Sequence, residues 1–434
     1  MPRIAVIGAG IAGLTAAYTL QKRGLDVQVF EREATPGGRM RSEQHGDFIV
    51  ERGAQFIASS YRNMRALAAE LEIDGQIEKL TDSRNAILKR GEFVMSEYEG
   101  LTAIRRSRDL SLTSKLRLAA IGWPLWRNWH RLDFYHPERL ARLDNESAAA
   151  YVDRIFGREV LDYLIEPAFA STFTVLPENM SKAFMLNTIA TLFRGFRLLA
   201  FRGGNGLLTQ TLAAQVPVRL GADVTRVHAT RTGVTVDFAD GESERFDQAI
   251  VAVPGNSVSK LCPGLTASER QFFSGVRYAA SIIAFVMADA SALPPFYGAG
   301  IPRREKVRLY GMAVENAKPG VVPPGKTLFN CAFSESAAAA LMDQPDHAVV
   351  AALETELAKL PLKNLDTTEG YVIHRWPSLV PQFWPGYHRS LRAFLRRADR
   401  TGRLQFAGDY LVGPYTEAAL TSGLRAASAI TGAT

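Results

Sequence analysis

Three glycines near the start of the chain constrain the fold more than any other feature. Gly8, Gly10 and Gly13 directly follow the apolar, β-branched residues 4–7 and precede a helical segment at residues 11–23. This G-x-G-x-x-G spacing between a buried strand and a helix is typical of a dinucleotide-binding βαβ unit. Gly8 permits the tight turn, Gly10 lets the backbone approach a pyrophosphate, and Gly13 lets the helix pack on the strand. The sequence therefore predicts an α/β fold with phosphates at the N-terminus of this helix.

A second apolar strand, residues 27–30, ends at Glu31, which stands at the expected distance from the glycines. Its carboxylate can accept hydrogen bonds from ribose hydroxyl groups. Arg32 follows, and then a loop with Gly37, Gly38 and Arg39. A guanidinium in this loop can pair with phosphate oxygens in a bidentate manner.

With this G-G-R loop, the chain resembles the superfamily of flavin-containing amine oxidases and protoporphyrinogen oxidases, which includes carotenoid-desaturase-like members. The resemblance implies FAD as a non-covalent cofactor and a G-G-R loop that wraps its diphosphate. It also implies that Gly53, Ala54, Gln55 and Phe56 pass beside the isoalloxazine ring.

The resemblance adds two distant segments to the cofactor site. In the middle of the chain, residues 201–206 (FRGGNG) precede several short strands, and Val224 is the implied contact to the adenine. Near the C-terminus, a strand at 404–407 leads into a helix at 416–430 whose small residues permit close packing. The full set of predicted cofactor-binding residues is Gly8, Gly10, Ile11, Ala12, Gly13, Glu31, Arg32, Gly37, Gly38, Arg39, Gly53, Ala54, Gln55, Phe56, Val224, Gly408, Asp409, Thr416, Glu417 and Ala418.

These motifs predict a discontinuous Rossmann-type FAD-binding domain and an α+β substrate domain with a helical cap. The FAD-binding domain is assembled from residues 1–60, 200–280 and 395–434. The substrate domain consists of residues 61–199, expected to be helical, and 281–394, expected to contain strands and a helix.

The reaction predicted from the resemblance is hydride transfer from a substrate carbon to flavin N5. Many amine oxidases of the family hold a water near N5 with a lysine, but the matching strand, YAASIIAFVMAD, has Ala284 at the aligned position and contains no lysine. Tyr415 matches one ring of the aromatic pair that flanks an amine and is the candidate catalytic residue. The other position falls near the aliphatic Leu379, with Phe383 and Trp384 close by.

Composition excludes several other classes of protein. Cys262 and Cys331 lie far apart, so a disulfide framework, a cysteine-rich metal site and a cysteinyl flavin are not expected, and the seven scattered histidines suggest no metal site. The net charge of +7 comes without a basic tail or an RNA-binding motif, so nucleic acid is not an expected partner. No signal peptide or spanning segment is recognised, which predicts a cytoplasmic protein.

Residues 105–142 bear on location. They hold nine Lys/Arg residues, three Asp/Glu residues, and Trp123, Trp126 and Trp129. Basic residues with interfacial tryptophans suit a contact with the inner face of a membrane, while a cap helix that packs its tryptophans on the substrate domain is the alternative.

Three functions follow from the sequence. The first is oxidation or desaturation of a lipophilic or polycyclic substrate, porphyrinogen-like or isoprenoid-like, with O2 or a quinone as the electron acceptor. The second is oxidation of a small amine or polyamine, and the third is a non-catalytic FAD-binding assembly protein.

Overall fold

The sheet that carries the glycine turn consists of parallel strands. The structure, a computed structural model, describes residues 1–96, 110–397 and 402–432. In chain order its strands are β1 (Arg3–Ile7), β2 (Asp26–Phe30), β3 (Ser42–His45), β4 (Phe48–Glu51), β5 (Ile57–Ala58), β6 (Ile77–Lys79), β7 (Asn85–Lys89), β8 (Glu92–Ser96), β9 (Leu198–Phe201), β10 (Val218–Arg219), β11 (Val224–Ala229), β12 (Val234–Phe238), β13 (Ser243–Phe246), β14 (Gln248–Val251), β15 (Tyr278–Asp289), β16 (Gly298–Gly300), β17 (Leu309–Val314), β18 (Lys326–Phe333), β19 (Gly370–Pro381) and β20 (Leu404–Phe406). Its α-helices are α1 (Ile11–Lys22), α2 (Arg62–Glu70), α3 (Leu112–Leu118), α4 (Gly122–Asn128), α5 (Ala148–Phe156), α6 (Arg158–Val160), α7 (Glu166–Phe173), α8 (Lys182–Leu192), α9 (Gly206–Gln215), α10 (Gly255–Leu261), α11 (Ala267–Ser274), α12 (Glu335–Leu341), α13 (Asp346–Leu357), α14 (Tyr387–Leu395) and α15 (Thr416–Thr431).

The parallel sheet has the order β10-β2-β1-β14-β20 and draws its strands from segments far apart in the sequence. Ile4, Ala5 and Val6 of the central strand β1 have no exposed surface, as expected for a parallel strand covered on both faces. This confirms the predicted α/β class with a discontinuous Rossmann-type sheet. The exact domain boundaries stay predictions.

Helices α1 and α15 pack against each other at unusually short range. A Cβ added at Gly423 of α15 would lie 2.2 Å from the carbonyl oxygen of Ala12 in α1. The small residues of the C-terminal helix therefore let its backbone approach the first turn of α1. This contact brings the last segment of the chain beside the N-terminal glycine turn.

The second large sheet is mixed and has the order β19-β15-β18-β17-β16-β7-β8. Two of its strands, β7 and β8, come from residues 61–199. The prediction that this insertion is helical holds for α2 but is wrong for residues 85–89 and 92–96. A two-residue turn at Arg90 and Gly91, both with positive φ, joins the two strands. This is the backbone geometry of a tight hairpin, but Arg-Gly lacks the Asn-Gly signature by which such hairpins are recognised.

Helices α3 to α8 form the helical part of the insertion. Their buried aromatic side chains, such as Phe156, Phe169 and Phe184, belong to the same core as Phe383 and Tyr387 from the C-terminal part of the chain. The helical layer is thereby fixed over the space between the two large sheets.

Candidate active site

The glycine turn has the geometry that its sequence predicts. Gly8 has a φ of +104°, and a Cβ there would lie 2.8 Å from the oxygen of Ala252. A Cβ at Gly13 would lie 2.0 Å from the oxygen of Gly8, so this glycine is needed for packing. A Cβ at Gly10, in contrast, would meet no described atom within 4 Å. Gly10 therefore leaves open space in front of helix α1, where a pyrophosphate would approach.

Glu31 lies at the end of β2, next to this turn. One carboxylate oxygen accepts a hydrogen bond from the backbone N–H of Ala9 at 2.8 Å, and the other accepts one from the N–H of Glu33 at 3.0 Å. The carboxylate is thus oriented beside the turn, as ribose binding requires. The side chain of Arg32 is exposed to solvent.

The G-G-R loop lies directly against the first glycine turn. The N–H of Gly37, whose φ is +114°, donates to the carbonyl of Ala9 at 2.8 Å. A Cβ at Gly38 would come within 3.5 Å of the Cα of Gly10. The two loops that the sequence assigned to one diphosphate are therefore neighbours in space.

Arg39 makes the central ion pair of the site. Its guanidinium lies 2.6 Å from the carboxylate of Asp409 and also donates to the carbonyl oxygen of Leu379 at 2.7 Å. The hydroxyl of Tyr278 donates to the other oxygen of Asp409 at 2.9 Å. Burial lowers the pKa of Arg39, but Asp409 and Tyr278 together outweigh this effect and raise that pKa, so the guanidinium keeps its charge.

The segment of residues 53–56 is held between the G-G-R loop and the FRGGNG block. The N–H of Ala54 donates to the carbonyl of Arg39 at 2.8 Å, and the side-chain amide of Asn205 donates to the carbonyl of Ala54 at 3.1 Å. A Cβ at Gly53 would lie 2.7 Å from the oxygen of Arg39. The structure thus assigns Asn205 of FRGGNG a role in supporting the segment that was expected to face the flavin.

Only some of the predicted residues of the C-terminal segment face the cavity. Gly408, Asp409, Tyr415 and Thr416 line the central cavity. The Glu417 carboxylate is turned away from it and accepts hydrogen bonds from the first N–H groups of helix α2 and from a tyrosine hydroxyl. Burial raises the pKa of Glu417.

Two other predicted cofactor residues lie away from the cavity lining. Ala418, in the first turn of helix α15, is fully buried in the core. Val224 begins β11, and nearby Ala222 donates its N–H to the carbonyl of Glu31 at 2.8 Å. The contact between Val224 and adenine stays a prediction.

A cavity of about 1300 Å³ connects these loops with the substrate region. Gly10, Gly37 and Arg39 are among its lining residues. Apolar side chains of the helical layer also line it, among them Leu118, Ile121, Val152, Phe156, Phe169 and Phe173. A cavity of this size, lined by the dinucleotide loops and by the helical layer, can hold a cofactor and a substrate together.

Ala284, the position aligned with the lysine of the family, does not face the cavity. The side chain of Ile283 in β15 lines the cavity, whereas Ala284 has no exposed surface and packs on the other side of the sheet. Because side chains alternate along a strand, an offset of one residue exchanges the two faces. An aliphatic side chain therefore occupies this wall, and β15 contains no lysine at any position.

The structure also shows where the candidate residues of the aromatic pair lie. Tyr415 lines the cavity and stacks on Phe134 with ring centroids 4.3 Å apart. Leu379 lines the cavity as well. Phe383 instead stacks on Phe184 in the core, and Trp384 donates its indole N–H to a backbone carbonyl.

One polar cluster beside the cavity was not expected from the sequence. Lys318 and Glu315 are an ion pair with fully buried side chains, and the Lys318 ammonium donates to the Gln55 side-chain oxygen at 3.1 Å. Glu51 is buried nearby, and burial raises its pKa to about 7. Lys318 lies in a turn rich in glycine and proline, where a lysine is ordinarily solvated, so the sequence offered no signal for its burial.

Comparison with known proteins places this geometry in a family. The model of the family "flavin containing amine oxidoreductase" matches residues 11–431. Mitochondrial protoporphyrinogen oxidase of Nicotiana tabacum is 34% identical over 182 residues, which cover 41% of this chain and 34% of that enzyme. A putative flavin-containing monoamine oxidase of Mycobacterium tuberculosis is 28% identical over 265 residues, 58% of this chain and 56% of that protein. This chain thus aligns with about a third to about a half of the length of these two relatives.

A solved structure supports the fold. The crystal structure of a putative protoporphyrinogen oxidase from Exiguobacterium sp. 255-15 is similar with a TM-score of 0.80 and 16% identity, over 100% of this chain and 99% of that one. The family assignment rests on the family model, because it extends over nearly the whole sequence and includes the G-G-R loop, residues 53–56 and the C-terminal segment. This chain therefore belongs to the family of flavin-containing amine oxidoreductases, and its cofactor is FAD.

Proposed function

We propose that this FAD-dependent oxidoreductase oxidises or desaturates a lipophilic or polycyclic substrate, porphyrinogen-like or isoprenoid-like. The observation that carries the proposal is the large cavity, because its apolar walls continue from the dinucleotide loops deep into the helical layer. Apolar pockets of this kind bind ligands mainly by excluding water from a large carbon surface. FAD takes up the part of this volume beside the dinucleotide loops, and the apolar walls of the remainder suit a carbon skeleton larger than a small amine.

Bound FAD supplies a hydride acceptor at its N5 atom. The chain's own residues bind the substrate, orient the reacting carbon and exclude water. Ile283 and Leu379 offer an aliphatic wall near the Arg39–Asp409 pair, and neither can accept or donate a proton. Burial raises the pKa of Tyr415 well above its usual range, so its hydroxyl stays protonated and serves as a polar contact rather than a base.

The stacking of Tyr415 argues against an aromatic cage for an amine. An amine cage needs two rings with space between them, but the 4.3 Å separation between Tyr415 and Phe134 leaves none. The other position of such a cage falls at the aliphatic Leu379. Tyr415 and Phe134 therefore present one stacked aromatic face to the cavity rather than a two-ring cage, which suits a flat polycyclic carbon skeleton.

Cationic side chains favour a substrate with carboxylate groups. Lys79, Arg84 and Arg197 line the cavity together with its apolar residues. Porphyrinogens carry carboxylate groups on an otherwise apolar macrocycle, whereas isoprenoid hydrocarbons do not. The lining thus supports a porphyrinogen-like substrate over a pure hydrocarbon.

The direct test is anaerobic mixing of the FAD-loaded protein with porphyrinogens, polyenes and amines. We expect a porphyrinogen to bleach the visible absorption of the flavin most rapidly. Bleaching by amines alone would overturn the proposal. Reoxidation of the reduced protein by O2 or by a quinone then identifies the electron acceptor.

Amine oxidation is the second candidate, and the position of Tyr415 at the cavity is the observation that favours it. It requires another group in place of the lysine that β15 lacks. Release of hydrogen peroxide with simple amines would support it. The third candidate, an FAD-binding assembly protein without turnover, would be supported by a flavin that no compound reduces, together with a stable protein partner.

We also propose that the protein is cytoplasmic and contacts the inner face of a membrane through residues 105–142. Of these, residues 105–109 lie outside the described residues. Leu112, Leu116, Trp123 and Trp126 of this segment are between 62% and 73% exposed. In the described part of the chain, no helix is both long and apolar enough to span a bilayer, so the proposed contact is peripheral.

The same segment borders the cavity. Leu118 ends α3, Ile121 precedes α4, and the side chains of both line the cavity. A lipophilic substrate could therefore enter from the membrane without crossing water. The cap-helix alternative accounts for Trp129, over whose ring the Arg194 guanidinium lies at 4.4 Å, but not for the exposure of Trp123 and Trp126.

A further inference from the structure

The buried ion pair of Lys318 and Glu315 lies behind the cavity wall rather than in it. Both side chains have no exposed surface. Burial of an ion pair costs desolvation energy that the pair itself recovers only in part. A pair retained at such a place is a candidate for a role in orienting its neighbours.

Gln55 connects this pair to the cavity. It lines the cavity, and its side-chain oxygen accepts a hydrogen bond from Lys318 at 3.1 Å. An ammonium can only donate, so the atom that faces Lys318 must be the amide oxygen and not the amide nitrogen. The orientation of the Gln55 amide is therefore determined by the charge behind it.

This orientation leaves the NH2 half of the amide for other partners. Its nitrogen lies 3.2 Å from the carbonyl oxygen of Gly53 and 3.5 Å from that of Glu51, both in its own segment. The contact to Gly53 is at the upper end of the usual range for an N–H···O hydrogen bond and the contact to Glu51 is beyond it, so one N–H of the amide keeps donor capacity for a ligand. The same segment is the one expected to pass beside the isoalloxazine ring.

We propose that Lys318 is a positioning residue that holds Gln55 so that its amide presents an N–H donor to the flavin. Such a donor stabilises the electron-rich reduced ring more than the oxidised ring, because a hydrogen bond to a more negatively charged acceptor is stronger. Lys318 thereby raises the reduction potential of bound FAD without touching it. This inference rests on FAD binding and not on the identity of the substrate.

The test is a double-mutant cycle read by the reduction potential of bound FAD. The first variant is Gln55→Leu, and the second is Lys318→Met with Glu315→Gln, which leaves no unpaired buried charge. We expect each to lower the equilibrium constant for flavin reduction roughly tenfold, which is about 30 mV for a two-electron couple. The variant that combines all three substitutions should show no larger shift than either, because both act through one hydrogen bond.

A matched control removes a buried ion pair elsewhere. Arg397 and Glu269 lie 3.1 Å apart with side chains 6% and 4% exposed, and Arg397→Met with Glu269→Gln should leave the potential unchanged. Additive shifts in the cycle, or an unchanged potential in the Lys318 variant, would overturn the proposal. If the Lys318 variant does not fold, Gln55→Leu decides alone, because an unchanged potential there removes the proposed donor. The potential is read without any substrate, so a wrong substrate assignment leaves this test intact.

Discussion

The guanidinium of Arg39 and the carboxylate of Asp409 form a hydrogen-bonded ion pair at 2.6 Å, although 370 positions separate them in the chain. The pair joins the G-G-R loop to the C-terminal segment at the wall of the cavity. It therefore couples the closure of the discontinuous cofactor domain to the geometry of the site. Disruption of the pair should affect both folding and FAD binding. The loss of Arg39 and the loss of Asp409 should differ in their effect on FAD binding.

Arg39→Met should destabilise the protein by about 3 kcal/mol, because it leaves the buried Asp409 carboxylate without its cation. It should also weaken FAD binding, since the cation of the predicted diphosphate loop is lost. Asp409→Asn keeps the guanidinium and should cost stability while retaining most of the FAD affinity. Urea unfolding and FAD titration of both variants measure the two effects. FAD affinity equal to the wild type in Arg39→Met would contradict the predicted role of this loop.

Gly10→Ala should separate cofactor binding from folding. Gly10 has a φ of −78° and its added Cβ would meet no described atom within 4 Å, so alanine fits the apoprotein. We expect apoprotein stability within about 1 kcal/mol of the wild type and an FAD affinity at least about tenfold lower, because the methyl group occupies the approach of the pyrophosphate. Thermal unfolding of the apoprotein and FAD titration are the measurements.

The control for this prediction is Gly13→Ala. Its Cβ would lie 2.0 Å from the oxygen of Gly8, so it should destabilise the apoprotein itself by about 1–3 kcal/mol. If the two alanine variants lose apoprotein stability equally, Gly10 does not face an open site.

Local requirements explain what could be predicted from the sequence. Gly8 must adopt a positive φ and Gly13 must allow backbone contact, and both requirements are met by glycine, which the sequence shows directly. It is harder to predict which face of a sheet a strand residue occupies, because an alignment shifted by one residue places it on the opposite face. Ala284 is an example, because its neighbour Ile283 faces the cavity and Ala284 does not.

The Lys318 cluster shows a second limit. Its burial depends on a contact between Lys318 and the distant segment that holds Glu51 and Gln55, and none of these residues stands in a pattern that indicates a buried charge. Only the tertiary contacts show that a turn lysine lies behind the cavity wall. Long-range polar clusters of this kind are the part of a site that local sequence reasoning misses.

Glu51 should give the protein a specific pH dependence of stability. Burial raises its pKa from 4.5 to about 7, so the folded protein keeps this proton in a pH range where the unfolded chain has released it. The unfolded state then binds fewer protons, and the contribution of Glu51 to stability falls as the pH rises from about 4.5 to about 7. Relative to Glu51→Gln, the wild type should lose up to about 3 kcal/mol over this window, at about 1.4 kcal/mol per pKa unit.

Denaturant unfolding of both proteins at about pH 5 and about pH 8 checks this prediction. Glu242→Gln, at a side chain that is 67% exposed, is the control and should show no such dependence. A difference between wild type and Glu51→Gln that is the same at both pH values would show that Glu51 is ionised in the folded protein throughout.

Trp123 and Trp126 are 62% and 71% exposed and in mutual contact, with ring centroids 5.2 Å apart. Trp123→Ser with Trp126→Ser should reduce binding to vesicles at least about tenfold, because each buried indole contributes on the order of 1–3 kcal/mol.

Arg127→Gln with Arg131→Gln should weaken binding to vesicles with anionic lipid only, by about 1 kcal/mol per cation. Co-sedimentation with phosphatidylglycerol and phosphatidylcholine vesicles distinguishes the two effects. Because neither pair of side chains lines the cavity, reduction of the flavin by a water-dispersed substrate should be unchanged in both variants. If the wild type does not bind vesicles, or if the wild type and both variants bind them equally, residues 105–142 belong to the cap alone.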